Sequence, residues 1–318
     1  MQMLDLIVPT FGIIVTGWLV GRWGILPPNA SDSLIQFAYY IAMPALLFVT
    51  VAKEPPGALM DWRFIASFGG GSVIVFLAVL AVAWRLGKGD PARSTMWALM
   101  ASMTNTGFVA LPLLHSIFGA RAVLPTAIAT LFVAVILFPL GVGLLEMRGT
   151  PQVLGRSHAM SGMVTHSLRN PLVSATLLGL AFAASGLTLP GMFDDYLGIF
   201  AAALAPCALF AIGLGIELAG LRAQLRPALG LSVVKLLALP ALVYALGRWL
   251  GLDPLSMIAA TICAAVPTAK TVYILAAEYE IDRELVAMTV TLTTVGSIVT
   301  LFAWLTAMAH VLPGAFPR

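Results

Sequence analysis

The sequence predicts an all-α membrane protein with ten transmembrane helices arranged as two inverted five-helix repeats. Three observations predict this fold class. Of the 318 residues, 60% are hydrophobic and only 10% are charged, a balance that excludes an ordinary soluble domain. The apolar residues fall into runs of about 20, the length needed to cross a bilayer. A single sequence shift also relates the two halves of the chain. The lipid bilayer is therefore the first partner that the sequence implies.

The apolar runs define ten predicted spans. Their ranges are 4–21, 33–52, 64–86, 95–118, 123–145, 168–186, 197–220, 228–250, 255–277 and 285–311. The longest connection is polar and basic, and it divides the chain into a first repeat (1–146), a cytoplasmic linker (147–167) and a second repeat (168–318). No basic segment precedes the first apolar run, so we expect it to be retained as a span rather than removed as a signal peptide.

The distribution of Lys and Arg predicts the orientation in the membrane. With the N-terminus outside, ten basic residues fall in the inner connections and five on the outer side. Because cytoplasmic loops carry the excess of Lys and Arg, both termini are expected outside. The basic residues are dispersed between apolar runs, so nucleic acid is not expected as a partner. Cys207 and Cys263 both lie in apolar runs, and no cysteine–histidine cluster suggests a metal site.

The two halves repeat marked residues at one constant shift. Since 171 − 9 and 206 − 44 both give 162, the same shift relates the pairs Pro9 and Pro171, Gly17 and Gly179, Pro28 and Pro190, Pro44 and Pro206, Phe48 and Phe210, and Arg121 and Arg283. Five spans per repeat is an odd number, which inverts the second copy. Many secondary transporters have this architecture, with discontinuous helices meeting near the midplane. Chance matches are the alternative, because Pro and Gly are frequent in membrane helices.

The ninth span contains a predicted break. Pro267 cannot donate a helical hydrogen bond and clashes with the preceding turn, and Lys270 follows three residues later. A central charge in the membrane costs about 3 kcal/mol on insertion scales, so it needs a partner or a wet cavity. We therefore predict half of a substrate site here, with Pro267, Thr268, Lys270 and Thr271 as binding residues.

The other half is predicted in the fourth span, at Asn105, Thr106 and Gly107. Asn offers two donors and an acceptor beside a Thr hydroxyl, and Gly lets a ligand approach the backbone. The helix is expected to open between Asn105 and Pro112, so that the following half-helix directs free N–H groups at an anion. The shift of 162 places Asn105 opposite Pro267. The alternative is that Asn105 merely bonds a neighbouring helix.

The two intramembrane lysines receive different interpretations. Three stay open for Lys270: it binds a substrate carboxylate, it gains and loses a proton during transport, or it is a fixed cation in the place of Na⁺. The plain alternative is a structural ion pair with an acid such as Glu217. Lys235 is expected near the inner end of the eighth span, where a long stem can snorkel to the interface.

Several segments together resemble the auxin efflux carrier family in its short bacterial form, over nearly the whole chain. They are Tyr40-Ile-Ala-Met-Pro-Ala-Leu-Leu-Phe48, Asn105-Thr-Gly-Phe-Val-Ala-Leu-Pro-Leu113, Asn170-Pro-Leu-Val-Ser-Ala-Thr-Leu-Leu-Gly179, Ala205-Pro-Cys-Ala-Leu-Phe-Ala-Ile-Gly213 and the stretch from Pro267. The family's crossover asparagine corresponds to Asn105 and its crossover proline to Pro267. Lys270 departs from the family, where a small polar residue such as Asn is expected. Since a fixed cation here could replace Na⁺ or a proton, coupling to H⁺ or Na⁺ stays open.

This resemblance implies a scaffold of spans one, two, six and seven beside a mobile domain of the other six. It also implies a homodimer in a bacterial inner membrane that transports small organic anions, auxin-like or dicarboxylate, by alternating access. No cofactor is expected. The alternatives are a cation/proton antiporter, which normally uses intramembrane carboxylates, a sodium-coupled symporter of organic anions, and a receptor on a carrier scaffold. An enzyme is not expected, because the spans contain no paired acids or Ser–His arrangement.

Overall fold

The computed structural model describes residues 2–27, 29–55, 57, 60–86, 89–146, 171–215 and 224–317. Within these ranges the chain is helical, and the only β-type pairing is an isolated bridge between Thr104 and Thr268. The predicted all-α class is confirmed. The linker predicted at 147–167 and the candidate partner Glu217 lie outside the described residues.

The described helices are named here in chain order. The first half contains α1 (Gln2–Arg22), α2 (Ala30–Ala52), α3 (Trp62–Leu86), α4 (Pro91–Ser102), α5 (106–118) and α6 (123–146). The second half contains α7 (Pro171–Ala184), α8 (Gly191–Leu214), α9 (Leu225–Leu250), α10 (Pro254–Ala265), α11 (Thr271–Glu278) and α12 (Arg283–Val311).

Six helical stretches in the described part of the chain are long and apolar enough to cross a membrane. They are α2, α3, the run from α5 through α6, α8, α9 and α12, while the helices around α1, α7 and α10 are shorter and also apolar. An integral membrane protein follows from these lengths. The seventh span was predicted to begin at residue 197, but α8 begins at Gly191, directly after the extended Pro190.

Four prolines inside these helices follow wide turns of the π-helical type. Four of the five such turns in the described residues end two residues before a proline, namely Pro44, Pro112, Pro139 and Pro240. A proline removes one backbone donor and its ring clashes with the carbonyl four residues earlier. The wide turn relieves that clash and lets the helix continue. Pro112 therefore does not end its helix.

Glycines bring two helix pairs into backbone contact. A Cβ on Gly17 of α1 would overlap the carbonyl oxygen of Phe210 in α8, and a Cβ on Gly179 of α7 would lie 3.1 Å from the carbonyl oxygen of Phe48 in α2. Small residues allow this close approach between membrane helices. Gly17 and Gly179, like Phe48 and Phe210, are pairs related by the shift of 162.

The buried side chains form two hydrophobic clusters. The larger one is built mainly from α3 to α6 and α9 to α12. The smaller one joins α2, α7 and α8 to α5 and α6, through residues such as Met43, Leu47, Leu111, Leu172 and Leu204. Helices α4, α5, α10 and α11, which flank the two predicted breaks, therefore share one core.

Candidate functional site

The first helix interruption lies between α4 and α5. Asp90 caps the start of α4, with its side chain accepting from the N–H groups of Ala92 and Arg93. The helix ends at Ser102, and Met103 is extended, with φ −73° and ψ 117°. Asn105 then caps α5, because its side-chain oxygen accepts from the N–H of Phe108 at 3.4 Å. The opening expected between Asn105 and Pro112 is therefore wrong in position: the chain opens just before Asn105.

The second interruption lies between α10 and α11. The helix ends at Ala265 and Val266 is extended, with φ −65° and ψ 156°. A residue before proline is disfavoured in the helical region, so Pro267 explains this end. The chain becomes helical again at Thr271, after Lys270. The interruption predicted around Pro267 is present.

The two interrupted segments pair with each other through their backbones. The N–H of Asn105 donates to the carbonyl of Pro267 at 2.9 Å, and the N–H of Ala269 donates to the carbonyl of Met103 at 3.1 Å. These bonds flank the antiparallel bridge between Thr104 and Thr268. Backbone groups freed by the breaks are thereby satisfied inside the protein, as membrane burial requires.

Threonine hydroxyls hold this pairing from the side. Thr268 is 1% exposed, and its hydroxyl donates to the carbonyl of Met100 at 2.7 Å. Its N–H donates to the hydroxyl of Thr293 at 3.2 Å. Behind the first break, the hydroxyl of Thr130 donates to that of Thr106 at 3.1 Å. Thr293 and Thr130 escaped prediction, because they lie on helices that show no break in sequence.

The predicted site residues fall into two groups. Asn105, Thr106, Gly107, Pro267 and Thr268 lie in the paired segments or at their edge, and all except the half-buried Asn105 are buried. A Cβ on Gly107 would approach the side chains of Leu172 in α7 and Met43 in α2. The second group, Lys270 and Thr271, begins α11 and is exposed. Binding roles for both groups stay predictions.

Lys270 and Lys235 lie in different environments. Among the described residues, the ammonium of Lys270 has no hydrogen-bond or ion-pair partner, and the residue is exposed. Lys235 was expected to snorkel to the interface, and that expectation is wrong. It is 0% exposed, and its Nζ donates to the carbonyls of Ala264 and Val266 at 2.7 and 2.6 Å. The buried cation at the second break is therefore Lys235.

The paired segments combine helix ends of opposite polarity. Helices α5 and α11 begin beside the pairing, so the positive ends of their dipoles lie there. Helices α4 and α10 end there and contribute the negative ends of their dipoles, with carbonyls that accept from groups outside their own helix. With the exposed ammonium of Lys270 at the start of α11, this arrangement offers donors and positive charge to an anion.

Many membrane transport proteins contain two discontinuous membrane helices that meet where their backbones are interrupted. Comparison with known proteins also indicates a membrane transport protein. The model of the family described as Mem_trans, membrane transport protein, matches residues 3–305. The chain belongs to this family, which is the family of the auxin efflux carriers.

Three relatives show the range of the family. A "Putative malonate transporter" of Rhizobium meliloti is 28% identical over 94% of this chain and 93% of its own length. The "Uncharacterized transporter YfdV" of Escherichia coli is 22% identical over 94% of this chain and 95% of its own length. "Auxin efflux carrier component 5" of Arabidopsis thaliana is 23% identical over 98% of this chain and 97% of its own length.

Proposed function

We propose that this protein is a secondary transporter of small organic anions, with a dicarboxylate as its substrate, that works by alternating access. The observation that carries the proposal is the pairing of two interrupted helices beside the unpaired ammonium of Lys270. Two helix N-termini and a cation at one place attract an anion. Membership in a transporter family and the name of the Rhizobium relative support the same function.

The proposed topology is two inverted repeats of five spans. The contacts of Gly17 with Phe210 and of Gly179 with Phe48 support it, since each repeat places the same glycine against the same phenylalanine of the other. The run 106–145 contains 40 residues, which is about 60 Å of helix and too long for one crossing. In this topology it supplies the second half of span four and the whole of span five.

Contacts at the helix ends agree with this alternation of spans. On the side proposed as outside, Lys53 pairs with Asp194 at 2.7 Å, and Arg63 donates to the carbonyl of Gly251 at 3.4 Å. On the side proposed as inside, Arg93 pairs with Asp282 at 2.7 Å. In each case the sequence-predicted orientation places both partners on one side of the membrane.

The two hydrophobic clusters support a division into a scaffold and a mobile domain. The larger cluster would move as one body with both interruptions, and the smaller cluster is the surface along which that body meets α2, α7 and α8. Tyr39 of α2 stacks on Phe108 of α5 across this surface, with ring centroids 5.6 Å apart. We also propose a homodimer, in which the scaffolds of the two copies contact each other.

The proposed site assigns distinct roles to its residues. Lys270 contributes charge to one carboxylate, and Thr271 contributes a donor at the start of α11. Asn105 and Thr106 bind the second carboxylate together with the first N–H groups of α5. Gly107, Pro267 and Thr268 shape the backbone. A carboxylate bound to charged and neutral donors at once receives charge-assisted hydrogen bonds, which are about twice as strong as neutral ones.

Flux measurements in proteoliposomes test this function. We expect saturable uptake of radiolabelled malonate, with competition by other small dicarboxylates. Asn105→Ala and Lys270→Ala should each lower uptake by at least about tenfold, the equivalent of one charge-assisted bond of 1.5–3 kcal/mol. The matched control is Lys53→Ala, which removes an exposed lysine that pairs with Asp194. Unchanged uptake in both site variants would reject the assignment.

A further inference from the structure

Lys235 places a cation inside the protein at the broken end of α10. Its side chain is completely buried, and its Nζ donates to the carbonyls of Ala264 and Val266. No carboxylate in the described part of the chain pairs with it, and it is the only charged residue among the described buried side chains. The partner of this cation is therefore a helix end rather than an acid.

The two carbonyls are free because the helix is broken at this point. In a continuous helix the carbonyl of Ala264 would accept from the N–H of Thr268, but that N–H donates to Thr293 instead. The carbonyl of Val266 would accept from Lys270, where the next helix has not yet begun. Free carbonyls at the end of a helix carry its negative partial charge, so this end attracts a cation.

The corresponding end of α4 makes other contacts. The carbonyls of Met100 in α4 and of Met103 just after it accept from the Thr268 hydroxyl and the Ala269 N–H. The shift of 162 places Val73 opposite Lys235, so the first repeat has no lysine at this position. The ammonium is thus a feature of one broken end only.

The local structure of α9 directs Lys235 to this end. It lies in the wide turn Val234–Ala238 that precedes Pro240. Because Pro240 has no N–H to donate, the carbonyl of Leu236 lacks its helical donor and accepts from the indole N–H of Trp304 at 3.1 Å. Lys235 is thereby held between α12 and the end of α10.

In transporters with discontinuous helices, unwound carbonyls and half-helix C-termini coordinate the coupling Na⁺. We propose that Lys235 is a built-in replacement for such an inorganic cation, so that the second break needs no Na⁺. Its ammonium donates hydrogen bonds to the carbonyl oxygens that a metal ion would otherwise coordinate. The consequence for transport rests on the proposed function, whereas the consequence for stability does not.

Thermal unfolding of the purified full-length protein tests the replacement directly. Melting temperatures are compared in NaCl, LiCl, methylammonium chloride and choline chloride at constant ionic strength. The wild type should melt at the same temperature in all four salts. Lys235→Ala should melt lower by roughly 5 °C or more, and Na⁺, Li⁺ or methylammonium should restore at least about half of that loss by occupying the vacated space.

Two further variants separate charge from packing. Lys235→Met keeps the length of the stem but carries no ammonium, so it should melt lower than the wild type and gain nothing from any salt. Lys53→Ala removes an exposed lysine and should show no selective response to cations. Specific stabilisation of the wild type by Na⁺, or a Lys235→Met protein as stable as the wild type, would overturn the proposal. These two results are informative even if Lys235→Ala does not fold.

Transport gives a second readout. Wild-type malonate flux should be the same with an inward Na⁺ gradient and with choline in its place. A flux that requires Na⁺ would contradict the built-in cation. Absence of flux for every carboxylate would instead reject the proposed function, and the melting experiments would still decide the role of Lys235.

Discussion

The substitution Thr268→Val removes one hydroxyl from the centre of the paired segments and keeps the shape of the side chain. The hydroxyl donates to the buried carbonyl of Met100 at 2.7 Å, whose helical partner would be the N–H of residue 104, beyond the end of α4. Leaving a buried carbonyl without a donor costs about 1–3 kcal/mol. At about 2–4 °C per kcal/mol, we expect the melting temperature of the detergent-purified protein to fall by roughly 2–12 °C.

Thr104→Val is the matched control, because Thr104 is the bridge partner of Thr268 and is 2% exposed. In the described residues its hydroxyl has no hydrogen-bond partner. Removing an unsatisfied buried hydroxyl should leave the melting temperature unchanged or raise it. Equal losses in the two variants, or a loss confined to Thr104→Val, would refute the bonding pattern described for the paired segments.

Two other substitutions probe the packing around the site. Gly213→Val should keep α1 and α8 apart, because a Cβ there would overlap the carbonyl of Ile14. The yield of folded protein, measured by size-exclusion chromatography, should fall greatly. Gly12→Ala, with open space at its Cβ, should give a normal yield in the same assay. Trp304→Phe should lower the free energy of unfolding by about 1–3 kcal/mol, since it leaves the Leu236 carbonyl without its indole donor, and the melting temperature should fall with it. An unchanged melting curve would show that this bond does not stabilise the fold.

The positions of the breaks could be predicted in part from local chemistry. Pro267 ends α10 because a proline restricts the residue before it, and this was readable from the sequence. The break near Asn105 was placed too late, because Pro112 was expected to open its helix. Instead, the wide turn at 106–110 accommodates Pro112, and the same occurs before Pro44 and Pro240. Whether a proline breaks or only widens a helix depends on neighbouring contacts.

The role of Lys235 could not be predicted, because its partners lie 29 and 31 residues away in sequence. A lysine near the end of an apolar run is compatible with snorkelling, and only the packing of α9 against α10 shows that it is buried. The nearness of Lys270 to Pro267 marks it as a candidate in the sequence, but the sequence does not show that the residue is exposed at the start of α11. The pairing of Thr104 with Thr268 is likewise a long-range contact.

Equilibrium binding of radiolabelled malonate to the purified protein tests the central claim most directly. The account predicts saturable binding that Asn105→Ala and Lys270→Ala each weaken by at least about tenfold, while Lys53→Ala binds like the wild type. Uncharged malonamide should not compete. Malonate binding that is indifferent to both site substitutions, or that malonamide displaces equally well, would contradict an anion site at the paired helix breaks.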